Sequence, residues 1–152
     1  MEHPAGIGVL TVAARLGVAF ILALPLAWER QAERHIGLRT VPLVSVGACG
    51  YLLLAEHLGA DSEGRMRVLQ GLLSGMGFIG AGAILKHGGD VVGIATAATI
   101  WNMGAVGGAS AFGDYTLALI LSAINVAVLI LGRLLQKHDV VPPPPRPGDG
   151  DP

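Results

Sequence analysis

Charge placement constrains this chain more than any other feature. Between Ile7 and Leu134 the charged residues sit in short islands, separated by long apolar runs rich in glycine and alanine. A soluble domain carries about 25% charged residues. Here only 14% are charged and 52% are hydrophobic, with a mean hydropathy of +0.61. Apolar runs of this length read as membrane-spanning helices, because a backbone in lipid must satisfy its own hydrogen bonds.

Five such runs can be drawn. The first, Ile7 to Trp28, holds about 22 residues and rises about 33 Å, enough for a hydrocarbon core of about 30 Å. Trp28 suits an interfacial anchor, and Pro25 lies near the end of the run, where lipid tolerates it. The N-terminal MEHPAGIG lacks the basic region that opens a signal peptide, so this run is read as a span. Val41 to Leu58 is the second, with Thr40 as a candidate cap and Pro42 in its first turn. Val68 to Leu85, Val91 to Ala111 and Tyr115 to Leu134 complete the set. A polar loop from Gly59 to Arg67 joins the second and third, KHGGD from Lys86 to Asp90 is a short turn, and Phe112 to Asp114 is a tight one.

The expected architecture is thus all-α: a polytopic helical membrane protein of five transmembrane helices, with a membrane domain over 5–135. The remainder, 136–152, contains PPPPRPGDGDP. It is read as a solvated, disordered cytoplasmic tail of polyproline character. Five spans put the termini on opposite sides. With the N-terminus out, the inside segments collect Arg30, Arg34, Arg39, Lys86, Arg133, Lys137 and Arg146, against Arg65 and Arg67 outside. The positive-inside rule therefore favours N-terminus out and C-terminus in. No internal repeat is evident, and an odd span count argues against a simple inverted-repeat transporter.

The third run holds the segment GLLSGMGFIGAGAIL, with Gly71, Gly75, Gly77, Gly80 and Gly82. Gly75 to Gly80 fits the dinucleotide fingerprint GxGxxG. That motif needs a preceding strand and an acid about 20 residues on, and neither is present. The glycines are read instead as a face that lets a second backbone approach. The expected neighbour is the fourth run, where Gly93, Ala97, Gly104 and Gly108 recur at small-residue spacing. The two would form an antiparallel hairpin and the tight core of the bundle.

Few polar residues lie in the spans. Thr96 and Thr99 can bond back to their own helix. Asn102 needs a partner in lipid, which Gln70 on the third span could supply as structural glue, or the two could form a polar site. Arg15 lies about 12 Å below the outer surface, at about 1.5 Å per residue. An ionisable residue at that depth is a functional candidate by default, and its structural alternatives are snorkelling or pairing with Glu56, Asp61 or Asp114. Glu56, His57, Asp61 and Glu63 form an acidic outer cluster whose carboxylates offer oxygens to a hard cation, but without a ligand geometry they read as solvated. Glu29, Arg30, Glu33 and Arg34 suit local pairing, and Arg30, Arg34 and Arg39 suit anionic headgroups, although a topology signal suffices. His35, His87 and His138 lack metal-ligand spacing. Cys49, the only cysteine, reads as a small packed residue. No nucleophile–base pair, phosphate loop or zinc motif is found, and a net charge of −1 with small charged islands points away from nucleic acid.

Three blocks taken together resemble the MgtC/SapB membrane proteins. WERQAERHIGLRTVPLVSVGA, Trp28 to Ala48, resembles that family's ER…GLRT…LV..GA segment. RVLQGLLSGMGFIGAGAIL, Arg67 to Leu85, resembles its R…Q…GIGFLGAG.I block. VVGIATAATIWNMGAVGGASAFGDY, Val91 to Tyr115, resembles its V.GLTTAA..W…A.G…G.G.Y block. Order and spacing match, from about Arg15 to Leu134. The resemblance implies a five-helix bacterial inner-membrane protein. Members are associated with adaptation to low magnesium and, in pathogens, with survival inside host cells, and they are viewed as modulators of other membrane proteins. By motif match it carries over Arg15, Glu29, Arg30, Gly37, Arg39, Thr40, Gln70, Gly77, Gly80, Gly82, Thr96, Trp101 and Gly107, to which the residues themselves add Gly75 and Asn102. Three departures stand out: Ala95 replaces one threonine of a pair, Asn102 follows the tryptophan, and a proline-rich tail stands where longer members carry a soluble domain.

The expectation is therefore a non-enzymatic multi-pass inner-membrane protein, without catalytic, cofactor or metal site, that modulates other membrane proteins under magnesium limitation or virulence-type stress. The alternative is a small transporter or channel subunit, with Arg15, Gln70, Asn102 and Asn125 along a polar path. Expected partners are the bilayer, other membrane proteins and, as an open alternative, a second copy of the chain.

Overall fold

The structure, a computed structural model, describes residues 8–29, 37, 39–87 and 90–137. In these residues five helices and one small hairpin follow in order: α1 (Val9–Glu29), α2 (Val41–His57), α3 (Ser62–Gly82), β1 (Leu85–His87), β2 (Asp90–Val92), α4 (Ile94–Ala111) and α5 (Tyr115–Lys137). The helical architecture follows the apolar runs closely. The ends differ where polar residues cap rather than interrupt.

The clearest case is α3, which begins at Ser62 and not at Val68. Asp61 accepts the Gly64 amide at 2.7 Å as its N-cap, and Glu63 sits in the first turn, where the helix dipole favours an acid. Glu63 and Arg67, one turn apart, pair at 2.6 Å. What reads as a polar loop is thus mostly helix with a solvated face. Asp114 does the same for α5, accepting the Leu117 amide at 2.9 Å. Thr40 precedes α2 but does not cap it with its side chain; its hydroxyl donates to the Gly37 carbonyl at 3.4 Å. Pro42 lies in the first turn of α2, as expected.

The segment read as a short turn is larger. α3 stops at Gly82, and β1 and β2 pair antiparallel in the register Leu85↔Val92, Lys86↔Val91 and His87↔Asp90. Paired glycines between two short strands are a hairpin signal that overrides helical continuation here. Gly93 then turns the chain into α4 with φ +91°, and a Cβ there would lie 3.0 Å from the Ala83 carbonyl carbon. Only glycine fits both the backbone angle and the approach.

Helix α4 packs against all four other helices and most extensively against α2. One apolar cluster joins Leu26 of α1, Val41 of α2, Met103 and Val106 of α4, and Ala118 of α5. A second joins Ala19, Cys49, Leu52, Leu53 and Ala111. The tight core is therefore α1, α2 and α4, not the α3–α4 pair expected from the glycine pattern. On α3 only Met76 and Gly80 are buried.

The outside of the bundle is apolar. Phe78 is 83% exposed, and Ile21, Leu54, Ile124 and Leu131 are more than half exposed. Helix α1, and α5 from Tyr115 to Leu135, are long and apolar enough to cross a membrane. Helix α2 is apolar but shorter, and glycine, small residues and the polar first turns of α3 dilute the hydropathy of α3 and α4. Exposed apolar faces around a small-residue interior are what a chain in contact with lipid requires.

Candidate functional site

The two ends of the bundle differ. One carries the α2–α3 and α4–α5 turns and the start of α1, and will be called the turn end. The other carries the β-hairpin. Arg15 sits near the turn end on α1. Its Nη1 donates to Glu56 Oε2 of α2 at 3.0 Å and to the Ala111 carbonyl at the end of α4 at 2.7 Å. The Arg15 and Glu56 side chains are only 18% and 30% exposed. Gly113, at φ +77°, lies against the guanidinium, so that a Cβ there would be 3.7 Å from Nη2. One cation thus clamps α1, α2 and the α4–α5 turn. The buried Arg15 Nε has no acceptor among the described residues.

Of the three acids that could pair with Arg15, Glu56 does so, while Asp61 and Asp114 accept backbone amides at helix starts. With Glu63 on Arg67, these acidic residues of the turn end are engaged separately. Among the described residues no group of three His, Cys, Asp or Glu side chains is placed to hold a metal ion.

Polar side chains deeper in the bundle donate to carbonyls of neighbouring helices. Ser45 of α2 reaches Ala19 O at 3.0 Å, and Ser122 of α5 reaches Leu22 O at 2.6 Å. Asn102 of α4 reaches Leu121 O of α5 at 3.4 Å. It does not meet Gln70, which is exposed on α3 and offers its own carbonyl to Ser74 at 3.2 Å. Asn125, one turn beyond Ser122, keeps a buried Nδ2 without an acceptor among the described residues. Thr99 bonds back to Ala95 O at 2.8 Å, and Thr96 is buried on the same helix.

At the hairpin end Glu29 pairs with Arg133 of α5 at 3.0 Å, and Arg133 also donates to the Glu29 carbonyl at 2.9 Å. This tie between the first and last helices escaped sequence reasoning, which considered only neighbours of Glu29. Two charges at ends of helices on one side of a bundle are the signal that could have found it. Arg39 is exposed, and Trp101 is half exposed on α4. Arg30, Arg34, His35, His138 and the tail from 138 onward lie outside the described residues.

The glycines divide sharply. Gly107 of α4 packs on α2, where an added Cβ would be 3.0 Å from both the Ser45 carbonyl carbon and Ala48 Cβ. Gly80 faces Ala97 of α4, with the carbonyl 3.5 Å from such a Cβ. Gly75, Gly77 and Gly82 have nothing within 4 Å. The packing role expected of these three is not found: α3 meets α4 through Leu69, Met76 and Gly80 instead.

A model described as the MgtC family matches residues 16–138, and so spans every element except the start of α1. The chain belongs to the MgtC family. The MgtC proteins of Brucella abortus (strain 2308) and Salmonella typhimurium (strain LT2) are 40% and 37% identical to it, over 81% and 76% of this chain. An uncharacterized protein of Synechocystis is 39% identical over 80% of the chain. The chain spans about half the length of these relatives, 52%, 49% and 53% respectively. No solved structure matches it. The MgtC match takes in Glu56, Asn102, Gly107 and Arg133, and begins one residue after Arg15.

Proposed function

We propose that this chain is a five-span protein of the bacterial inner membrane, N-terminus out and C-terminus in, which modulates other membrane proteins under magnesium limitation or related stress. It acts without catalysis. The turn end, with Arg15, Glu56 and the two capping aspartates, faces out; the hairpin end, with Glu29, Arg39, Lys86 and Arg133, faces in. The excess of Lys and Arg at that end supports the orientation.

One observation carries the choice of a modulator over a transporter. Arg15, Ser45, Asn102 and Ser122 all spend donors on carbonyls of neighbouring helices. Such bonds hold helices together rather than mark a route for an ion. Membership of the MgtC family supports the link to magnesium limitation that the sequence resemblance implies.

The test is magnesium flux into liposomes containing the purified chain, beside growth of a deletion strain complemented in low magnesium. Complementation without flux is expected. Saturable flux abolished by Asn102→Leu would refute the modulator reading in favour of transport. Cysteine labelling, in a Cys49→Ser background, of new cysteines at Ser62 and Lys86 checks orientation. Labelling from outside is expected at position 62 alone.

A further inference from the structure

Helices α2 and α3 diverge to leave an open apolar crevice of about 600 Å³. Leu43, Gly47 and Tyr51 line it on α2, and Gly71, Gly75 and Ile79 on α3. Tyr51 is its only polar side chain. Toward the turn end the two helices are pinned by Leu52 and Leu53 against Val68, Leu69 and Leu72. Toward the hairpin end the crevice runs to the first turn of α2 and the last turn of α3. There, Arg39 precedes Leu43 by one turn and Lys86 follows α3 on β1. Both are exposed, and neither pairs with an acid among the described residues.

We propose that this crevice is a binding site for an anionic phospholipid, with an acyl chain between α2 and α3 and the phosphate held by Arg39 and Lys86. Arg39 and Lys86 do not line the crevice, but both lie in the chain just beyond its hairpin end, where a headgroup would stand when an acyl chain fills the apolar lining. A basic mouth on an apolar slot between membrane helices is the chemistry by which acidic headgroups are selected.

The inner-leaflet source of the lipid rests on the orientation proposed above; the affinity does not. The full chain, delipidated in a nonionic detergent, is titrated with dioleoylphosphatidylglycerol or dioleoylphosphatidylcholine, and bound lipid is counted by native mass spectrometry. Phosphatidylglycerol should bind at least tenfold more tightly. Arg39→Gln and Lys86→Gln should each weaken it about fivefold and leave phosphatidylcholine unchanged. Gly75→Leu, built where nothing lies within 4 Å, should fill the slot and weaken both lipids, whereas Gly132→Leu, equally open but on α5, should weaken neither. Equal affinity for the two lipids, or parental binding by Gly75→Leu, would overturn the proposal. So would a species of twice the chain mass that lipid does not displace, since the crevice would then be an interface between copies. Detergent removes both orientation and partner proteins, so failure here leaves the modulator reading standing. Magnesium flux, conversely, would overturn that reading without altering these affinities.

Discussion

Replacing Gly107 by alanine adds one carbon where helices α2 and α4 touch. That carbon would lie 3.0 Å from the Ser45 carbonyl carbon and from Ala48 Cβ, and nearer still to the Ser45 oxygen. Ordinary contacts at such a position are about 3.5–4.0 Å. The obstacle is backbone, so no rotamer change relieves it, and α2 must move from α4 by several tenths of an ångström or more. That shift disturbs the broadest interface of the fold and the bond from Ser45 Oγ to Ala19 O on α1. Overpacking of this kind costs about 1–3 kcal/mol. For a chain of this size each kcal/mol corresponds to about 2–4 °C, so a fall of about 2–12 °C is expected. Cys49, fully buried on α2 and the only cysteine, supplies the assay: a thiol-reactive fluorophore reports its exposure as the purified protein is heated in detergent. Gly75→Ala is the matched control, because nothing lies within 4 Å and alanine is the better helix former. Its midpoint should stay level or rise. A Gly107→Ala midpoint within 1 °C of the parent, or a larger fall for Gly75→Ala, would refute the packing argument.

Other perturbations follow from the same contacts. Arg15→Met leaves Glu56 half-buried without its cation, and should cost about 3 kcal/mol, the lower part of the range for broken buried pairs because Glu56 retains some solvent. The Arg15→Met/Glu56→Met double variant should recover part of that loss, and strictly additive losses in thermal unfolding would deny the coupling. Gly93→Ala combines a left-handed backbone with a collision at the Ala83 carbonyl, so hydrogen exchange should accelerate across Leu85 to Val92; unchanged protection would count against the hairpin geometry. Ser122→Ala removes one interhelical bond to Leu22 O and should cost only about 0.6 kcal/mol, a shift of about 2 °C. Arg133→Gln breaks a pair whose arginine is mostly exposed, and a loss above about 1 kcal/mol would be unexpected.

The helices were legible because apolar runs between charges have few alternatives. Their partners were less so. The spacing of Gly71, Gly75, Gly77, Gly80 and Gly82 marks where a backbone is able to approach, and only at Gly80, against Ala97, does one do so. A tighter approach occurs at Gly107, whose carry-over came from family resemblance and not from spacing. Asp61 and Asp114 look like surface acids until the amides they cap are in view. Arg15 announced its need for a partner by depth alone, and Glu56 at the far end of α2 was among the three acids in reach. The link from Glu29 to Arg133 spans 104 residues, and local pattern carries no trace of it. The hairpin was hidden by continuity of hydrophobicity from α3 into Leu85 and from Val91 into α4, which outweighed two glycines at the bend.

The Arg15 clamp has a consequence for biogenesis. Its acceptors arrive late: Glu56 lies 41 residues downstream and the Ala111 carbonyl 96. At about 5–20 residues per second, roughly 5–20 s separate synthesis of the arginine from completion of its contacts. Until Glu56 is made the arginine lacks its anionic partner, and until Ala111 is made its Nη1 lacks its second acceptor. The contact that locks the finished bundle is thus completed only when the end of its fourth helix has been synthesised.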